Sequence, residues 1–182
     1  MDGNSKNISM FRHAFQTLDW LVLKIEEIIL SFSIIIITVM IAGNVFSRIL
    51  TNKSWAFAYE VSQFAVMIAT FMGISYAARK GRHISMSAFY DMAPFPIRKA
   101  LSIIIPFFTA IILLVLAYYA YGYLDNVRNS GRISAALEIP VYYFLYFVPI
   151  GLILGAIQFL RNMWINIKEK EVYLATEKKD YS

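Results

Sequence analysis

The chain has 182 residues, 59% of them hydrophobic and only 16% charged, against roughly 25% charged in a soluble globular domain, so it reads as one integral membrane unit. Its formal charge of +5 then bears first on how loops distribute across a bilayer, not on nucleic acid. Lacking cysteine, it forms no disulfide, thiolate metal site, iron–sulfur ligation or cysteine nucleophile.

The N-terminal stretch MDGNSKNISMFRHAFQTLDW is polar. It lacks the basic region, apolar core and small-residue cleavage site of a signal peptide, so the chain is expected to keep its own N-terminus. Over residues 10–27, Phe11, Ala14, Phe15, Leu18, Leu21, Val22 and Ile25 recur at helical spacing. Arg12, His13, Gln16, Asp19, Lys24 and Glu26 fall largely between them. That pattern predicts an amphipathic helix at the membrane surface, and a helix packed on a partner would show the same pattern.

A spanning helix needs roughly 20 mostly apolar residues to cross about 30 Å of hydrocarbon. Four stretches qualify, over about 28–49, 59–78, 97–124 and 140–164. Lipid satisfies no backbone polar group, so each is expected to be helical and the fold all-α, with four transmembrane helices. Glu60 stands at the entrance of the second span, where the helix dipole would stabilise a carboxylate, and Trp55 beside it suits an interface aromatic. Pro94 and Pro96 are expected to restart the chain into the third span. Pro106 and Pro149 are placed to kink the third and fourth. The charged tail over 168–182 is expected to fray.

The cations settle an orientation. Of the 17 Lys and Arg residues, thirteen fall in the N-terminal segment, the loop between the second and third spans, and the tail; four fall in the other two loops. Both termini and the central loop are therefore expected in the cytoplasm. The basic run Arg79, Lys80, Arg82 and His83 ends the second span. Its simplest role is to hold that loop inside, and contact with lipid phosphates or a partner is the more specific one.

Chemistry is scarce along the chain. Only two histidines occur, His13 and His83, so no intramembrane pair can clamp a haem. No HExxH, GxSxG or phosphate-binding glycine loop is present, and the carboxylates are too scattered for zinc. Catalysis, a metal site and a protein-bound cofactor are not expected. Asn44, Gln63, Thr70, Thr109 and Gln158 suit hydrogen bonds between helices. The pairs Gly151 with Gly155 and Ala69 with Gly73 have the small-xxx-small spacing that lets helices approach closely. A carrier acting alone would need a polar midplane site, and the spans offer no evident polar stripe.

The stretch SWAFAYEVSQFAVMIATFMGISYAARKGRHI, residues 54–84, resembles the small membrane subunit of the tripartite ATP-independent periplasmic (TRAP) transporters, the DctQ-like family. The resemblance rests on a tryptophan and an acid opening the second span, followed by an aromatic-rich helix, a glycine and an arginine-rich turn ending in Gly-x-His-Ile. Glu60, Gly73, Arg79, Gly81, His83 and Ile84 match that order. Tyr59 stands where many members carry a second acid, and Trp55 lies about two residues further from Glu60 than usual. Residues 134–160 are similar to the family's fourth span. The resemblance implies a non-catalytic subunit of the bacterial inner membrane that packs on a large elevator-type partner. That partner would hold the substrate and sodium sites, and a soluble periplasmic binding protein would deliver an organic anion such as a C4-dicarboxylate or a sialic acid. Phospholipid would fill gaps between the subunits. Trp55, Glu60, Gly73, Arg79, Arg82, His83, Gly151 and Gly155 become candidates for the partner or lipid interface. Arg48, Lys53, Asp125, Arg128, Arg132 and Glu138 become candidates for a docking surface on the outer side. Two other readings stay open: a membrane anchor of a respiratory or redox complex, and a small autonomous homo-oligomeric channel or exporter.

Overall fold

The computed structural model describes residues 3–80, 94–169, 173–175 and 178–179, with side chains for 17, 19–80, 94–169 and 173. Helix α1 (Gly3–Thr51) is followed by α2 (Ala56–Lys80), α3 (Phe95–Asn129), a short α4 (Tyr142–Leu145) and α5 (Phe147–Lys168). Strands β1 (Tyr173–Ala175) and β2 (Lys178–Lys179) pair antiparallel in the tail. Asp19–Thr51, Ala56–Lys80, Phe95–Asn129 and Tyr142–Lys168 are each long and apolar enough to cross a membrane.

Helix α1 differs from its expectation. No boundary separates a surface helix from a span, and its 49 residues at about 1.5 Å each make a rod of roughly 74 Å. Over residues 19–28 the polar side faces the protein: Glu26 is buried while Trp20, Leu21, Ile25 and Ile28 are exposed. Cations on α2 and α5 draw the Asp19 carboxylate inward, as described below. The expected apolar positions Phe11, Ala14, Phe15 and Leu18 lie outside the described side chains. Asn52, with φ 53°, ends the helix in the left-handed conformation that asparagine tolerates, and its N–H bonds the Arg48 carbonyl at 3.1 Å.

Prolines mark the other boundaries. Pro94 caps α3 and Pro96 lies in its first turn, where a missing N–H costs nothing. Pro106 is buried within α3, which runs through it unbroken. Pro149 behaves otherwise. Its absent N–H removes the intrahelical donor to the Leu145 carbonyl, and the fourth span divides there into α4 and α5, joined at Tyr146.

The four spans pack mainly in the order α1, α2, α5, α3. Ala78 on α2, Ala110, Leu113 and Ala117 on α3, and Leu152, Ala156 and Phe159 on α5 form the core. Alanine dominates because small side chains bring helix backbones close, and close van der Waals packing drives association where lipid removes the hydrophobic drive. Gly151 carries this furthest, since a Cβ there would lie 2.3 Å from the Phe71 carbonyl oxygen of α2. Helix α1 is peripheral: 6% of its apolar window is buried, against 39% for α4 and α5. An apolar groove of about 370 Å³ runs between α1 and α2, lined by Phe32, Ile36, Phe64, Ile68, Leu137 and Phe144 among others.

Candidate functional site

At the end of the bundle that carries Arg79, three helices meet on a buried ion cluster. Arg79 closes the last turn of α2, yet it is only 1% exposed. Its Nη1 donates to the Asp19 carboxylate at 2.9 Å and to the Asp19 carbonyl at 3.1 Å. Arg161 of α5 reaches the other Asp19 oxygen at 2.5 Å, so one carboxylate of α1 ties down α2 and α5 together. Glu26, fully buried, lies beside Ser75 and in the field of Arg79. Charges taken out of water persist only when paired; Asp19 and Arg79 are so paired, whereas among the described residues neither Glu26 carboxylate oxygen has a hydrogen-bond partner. The structure thus places Arg79 inside the chain, away from the surface where a lipid phosphate or partner would reach it. Asp19 and Glu26 were not among the expected site residues. Their seven-residue spacing put both on one face two turns apart, a signal hidden because both fitted the polar side of a surface helix.

Gln158, Asn162 and Asn166 are also buried and continue along the face of α5 that Gly151 and Gly155 begin. This is a polar stripe that the sequence reading did not find. It is short, confined to the Arg79 end, and given in part to the tail. Asn166 donates from Nδ2 to the Tyr173 carbonyl and accepts the Tyr173 N–H at its Oδ1, both at 2.8 Å. Its side-chain amide therefore does for Tyr173 what a neighbouring strand would do. Lys99 Nζ holds the Glu169 carbonyl at 2.7 Å, so the start of the tail, expected to fray, is tethered twice. Asn166→Ala leaves both Tyr173 backbone groups without that partner, worth about 1–2 kcal/mol of docking. The expected outcome is roughly tenfold faster tryptic cleavage at Lys178 and Lys179; an unchanged cleavage rate would show that the tail is held by something else.

At the opposite end the site is Glu60. It belongs to the second turn of α2 and caps a different element from the one expected. Its Oε1 accepts the Ala135 N–H at 3.0 Å, and its Oε2 accepts the Ala136 and Leu137 N–H groups at 3.0 and 3.1 Å. The Ser134 hydroxyl donates to the same carboxylate. Three successive amides converging on one oxyanion form a nest of the kind that binds anions. The Arg132 carbonyl accepting the Val141 N–H at 3.1 Å, and the Ser134 N–H donating to the Ile139 carbonyl at 2.9 Å, close this turn into a small hairpin. Glu138 completes it at φ 54°, an uncommon conformation for a residue other than glycine. Nothing local to Glu60 announced its partners, which lie 74 to 77 positions away.

Trp55 is partly exposed, stacks on Phe57, and lies against Gly43, where a Cβ would come within 2.8 Å of the indole. Its backbone N–H donates to Asn44 Oδ1 at 2.7 Å, so it fixes the turn from α1 to α2. Gly73 meets Leu30 of α1 at ordinary contact distance, whereas Gly151 and Gly155 press on Phe71 and Ile74 of α2. These three glycines therefore face helices of the same chain. Arg82 and His83, with Gly81 and Ile84, lie outside the described residues. Among the described residues no His, Asp, Glu or Cys side chains group as a metal site.

Residues 37–169 match the family described as tripartite ATP-independent periplasmic transporters, DctQ component. Over 160 residues the chain is 38% identical to the ectoine TRAP transporter small permease protein TeaB of Halomonas elongata, covering 88% of this chain and 83% of that one. The family is a permease component and not an enzyme. With four helices able to cross a membrane and a match over most of its length, the chain belongs to the DctQ component family of the tripartite ATP-independent periplasmic transporters and is a multi-pass membrane protein.

Proposed function

We propose that this chain is the small subunit that braces the large membrane subunit of a sodium-coupled, binding-protein-dependent transporter, in the inner membrane with both termini in the cytoplasm. The observation that carries the reading is one-sided packing. Helices α1 and α3 end the row of spans and leave long apolar stripes exposed: Phe32, Ile35, Val39 and Phe46 on α1, and Phe108, Ile112, Leu116 and Tyr119 on α3. A subunit that docks along its length on another membrane protein needs such faces. The described charges support a bracing role as well, since they cluster toward the two ends of the spans. Sodium and substrate then belong to the large subunit, with phospholipid filling the seams between the two. The relative's name makes ectoine the first substrate to test, ahead of C4-dicarboxylates and sialic acids.

The test is purification of the tagged chain from its native membrane in mild detergent, with mass spectrometry of what accompanies it. A stoichiometric large multi-span protein is expected. Reconstituted with it and a soluble binding protein, the pair should take up solute only with an inward sodium gradient. Recovery of the chain alone as an oligomer, or with haem-bearing subunits, would overturn the reading.

A further inference from the structure

Where α1, α2 and α5 meet, several buried polar atoms have no hydrogen-bond partner among the described residues. Glu26 is fully buried, and neither of its carboxylate oxygens accepts a bond. Ser75 lies beside it on α2, equally buried, with its Oγ unpaired. Arg79, one turn further along α2, commits Nη1 to Asp19 and leaves Nε and Nη2 without a partner. Gln158 of α5 is buried too, and its Oε1 accepts nothing. It stands one turn beyond Gly155, which packs on Ile74, and one turn before Arg161, which reaches Asp19. Helical register therefore gathers the four residues at one level, just inward of the Asp19 ion pairs. Burying polar groups without partners is costly, so a native fold completes them with something.

The balance of the set selects the ligand. Asp19 and Glu26 offset Arg79 and Arg161 in charge, so the junction draws no net charge. A bound cation would serve the oxygens of Glu26 and Gln158 but leave the Arg79 donors unmet, and an anion would do the reverse. A small neutral molecule that both donates and accepts serves both halves. We propose that this junction is a binding site for ordered water that bridges Glu26 to Arg79, Ser75 and Gln158. At about three bonds per buried water, about two molecules complete the set. They return to the Glu26 carboxylate the solvation that burial removes. They also give α1 a second tie to the bundle beside the direct bonds of Asp19, because a bridging water holds nearly as well as a direct hydrogen bond.

The experiment is water-edited solid-state NMR on the isotope-labelled full chain in liposomes, which follows magnetisation passing from water protons to nearby nitrogens. Two side chains supply the scale. Arg132 Nε belongs to an exposed residue. Asn166 Nδ2 is fully buried and already bonded to Asn162 and Tyr173. Arg79 Nε is expected to gain signal roughly threefold faster than Asn166 Nδ2 and close to the rate of Arg132, since a buried water sits against it. Gln158→Leu removes one acceptor and fills its space with methyl groups, so it should slow transfer to Arg79 by about half or more and leave Asn166 as it was. Transfer to Arg79 as slow as to Asn166 overturns the proposal. Slow transfer together with the carbon shift of a protonated Glu26 overturns it as well, and shows that the acid donates its own proton to Ser75 or Gln158. If Gln158→Leu does not fold, the comparison within the wild-type chain decides alone.

Discussion

Replacing Gly151 with valine is expected to abolish recovery of a folded, monodisperse chain from mild detergent. The added Cβ would lie 2.3 Å from the Phe71 carbonyl oxygen and 2.5 Å from its carbon. Both atoms belong to the backbone of α2, so no side-chain rotation relieves the contact and the helices must separate. Overpacking typically costs about 1–3 kcal/mol where side chains can adjust, and a clash between backbones lies at or beyond the upper end. Because α2 and α5 form the middle of the row, their separation also loosens α1, held mainly through α2, and α3, held mainly through α5. Gly151→Ala should show the same defect as a lower melting temperature. Gly73→Ala is the control: its Cβ would meet Leu30 at 3.5 Å, an ordinary contact, and alanine favours the helix by roughly 0.5–1 kcal/mol. That variant should melt at or slightly above the wild type. Equal loss in both would mean that the close approach at Phe71 is not what holds the fold.

Arg79→Met should destabilise the chain by about 3–5 kcal/mol, the usual result of removing one member of a buried ion pair. Asp19 would keep only Arg161, a more exposed partner at 32%, and buried Glu26 would lose the cation whose field it shares. Arg79→Lys should recover only part, because the lysine ammonium ends one bond short of Nη1, the single nitrogen that donates to both the carboxylate and the carbonyl of Asp19. The double variant Asp19→Asn with Arg79→Met should be more stable than Arg79→Met alone, since removing both charges of a buried pair often costs little. Thermal melts of the wild type, the two Arg79 variants, Asp19→Asn alone and the double variant in one detergent check this. A double variant as unstable as the sum of the two single losses would show that Arg79 and Asp19 do not act as a pair.

Much of the architecture was legible because a bilayer reduces the choice of structure. Hydrocarbon excludes unpaired backbone, so length and apolarity alone located four helices, and Pro94 with Pro96 marked the start of the third. The family was legible too, because the residues that carry the resemblance lie close together in one stretch around the second span. The relative with which the chain shares 38% identity agrees with that part of the reading.

The roles of individual residues were not legible, and the reason differs from place to place. Arg79 stood in a run of cations and looked like its neighbours. It turned inward because Asp19, sixty positions earlier, stands where α1 passes the end of α2. Glu60 looked like a cap on its own helix, but the amides it serves come from the loop between α3 and α4. Gly151 and Gly155 announced a close helix contact without saying whether the other helix belonged to this chain, and Phe71 and Ile74 supplied the answer. Hydropathy and helical period are local properties, so the sequence by itself determined the spans, their limits at proline and the class of protein. Pairing between residues far apart depends on which faces the packed helices turn toward one another, and only the tertiary structure decided that.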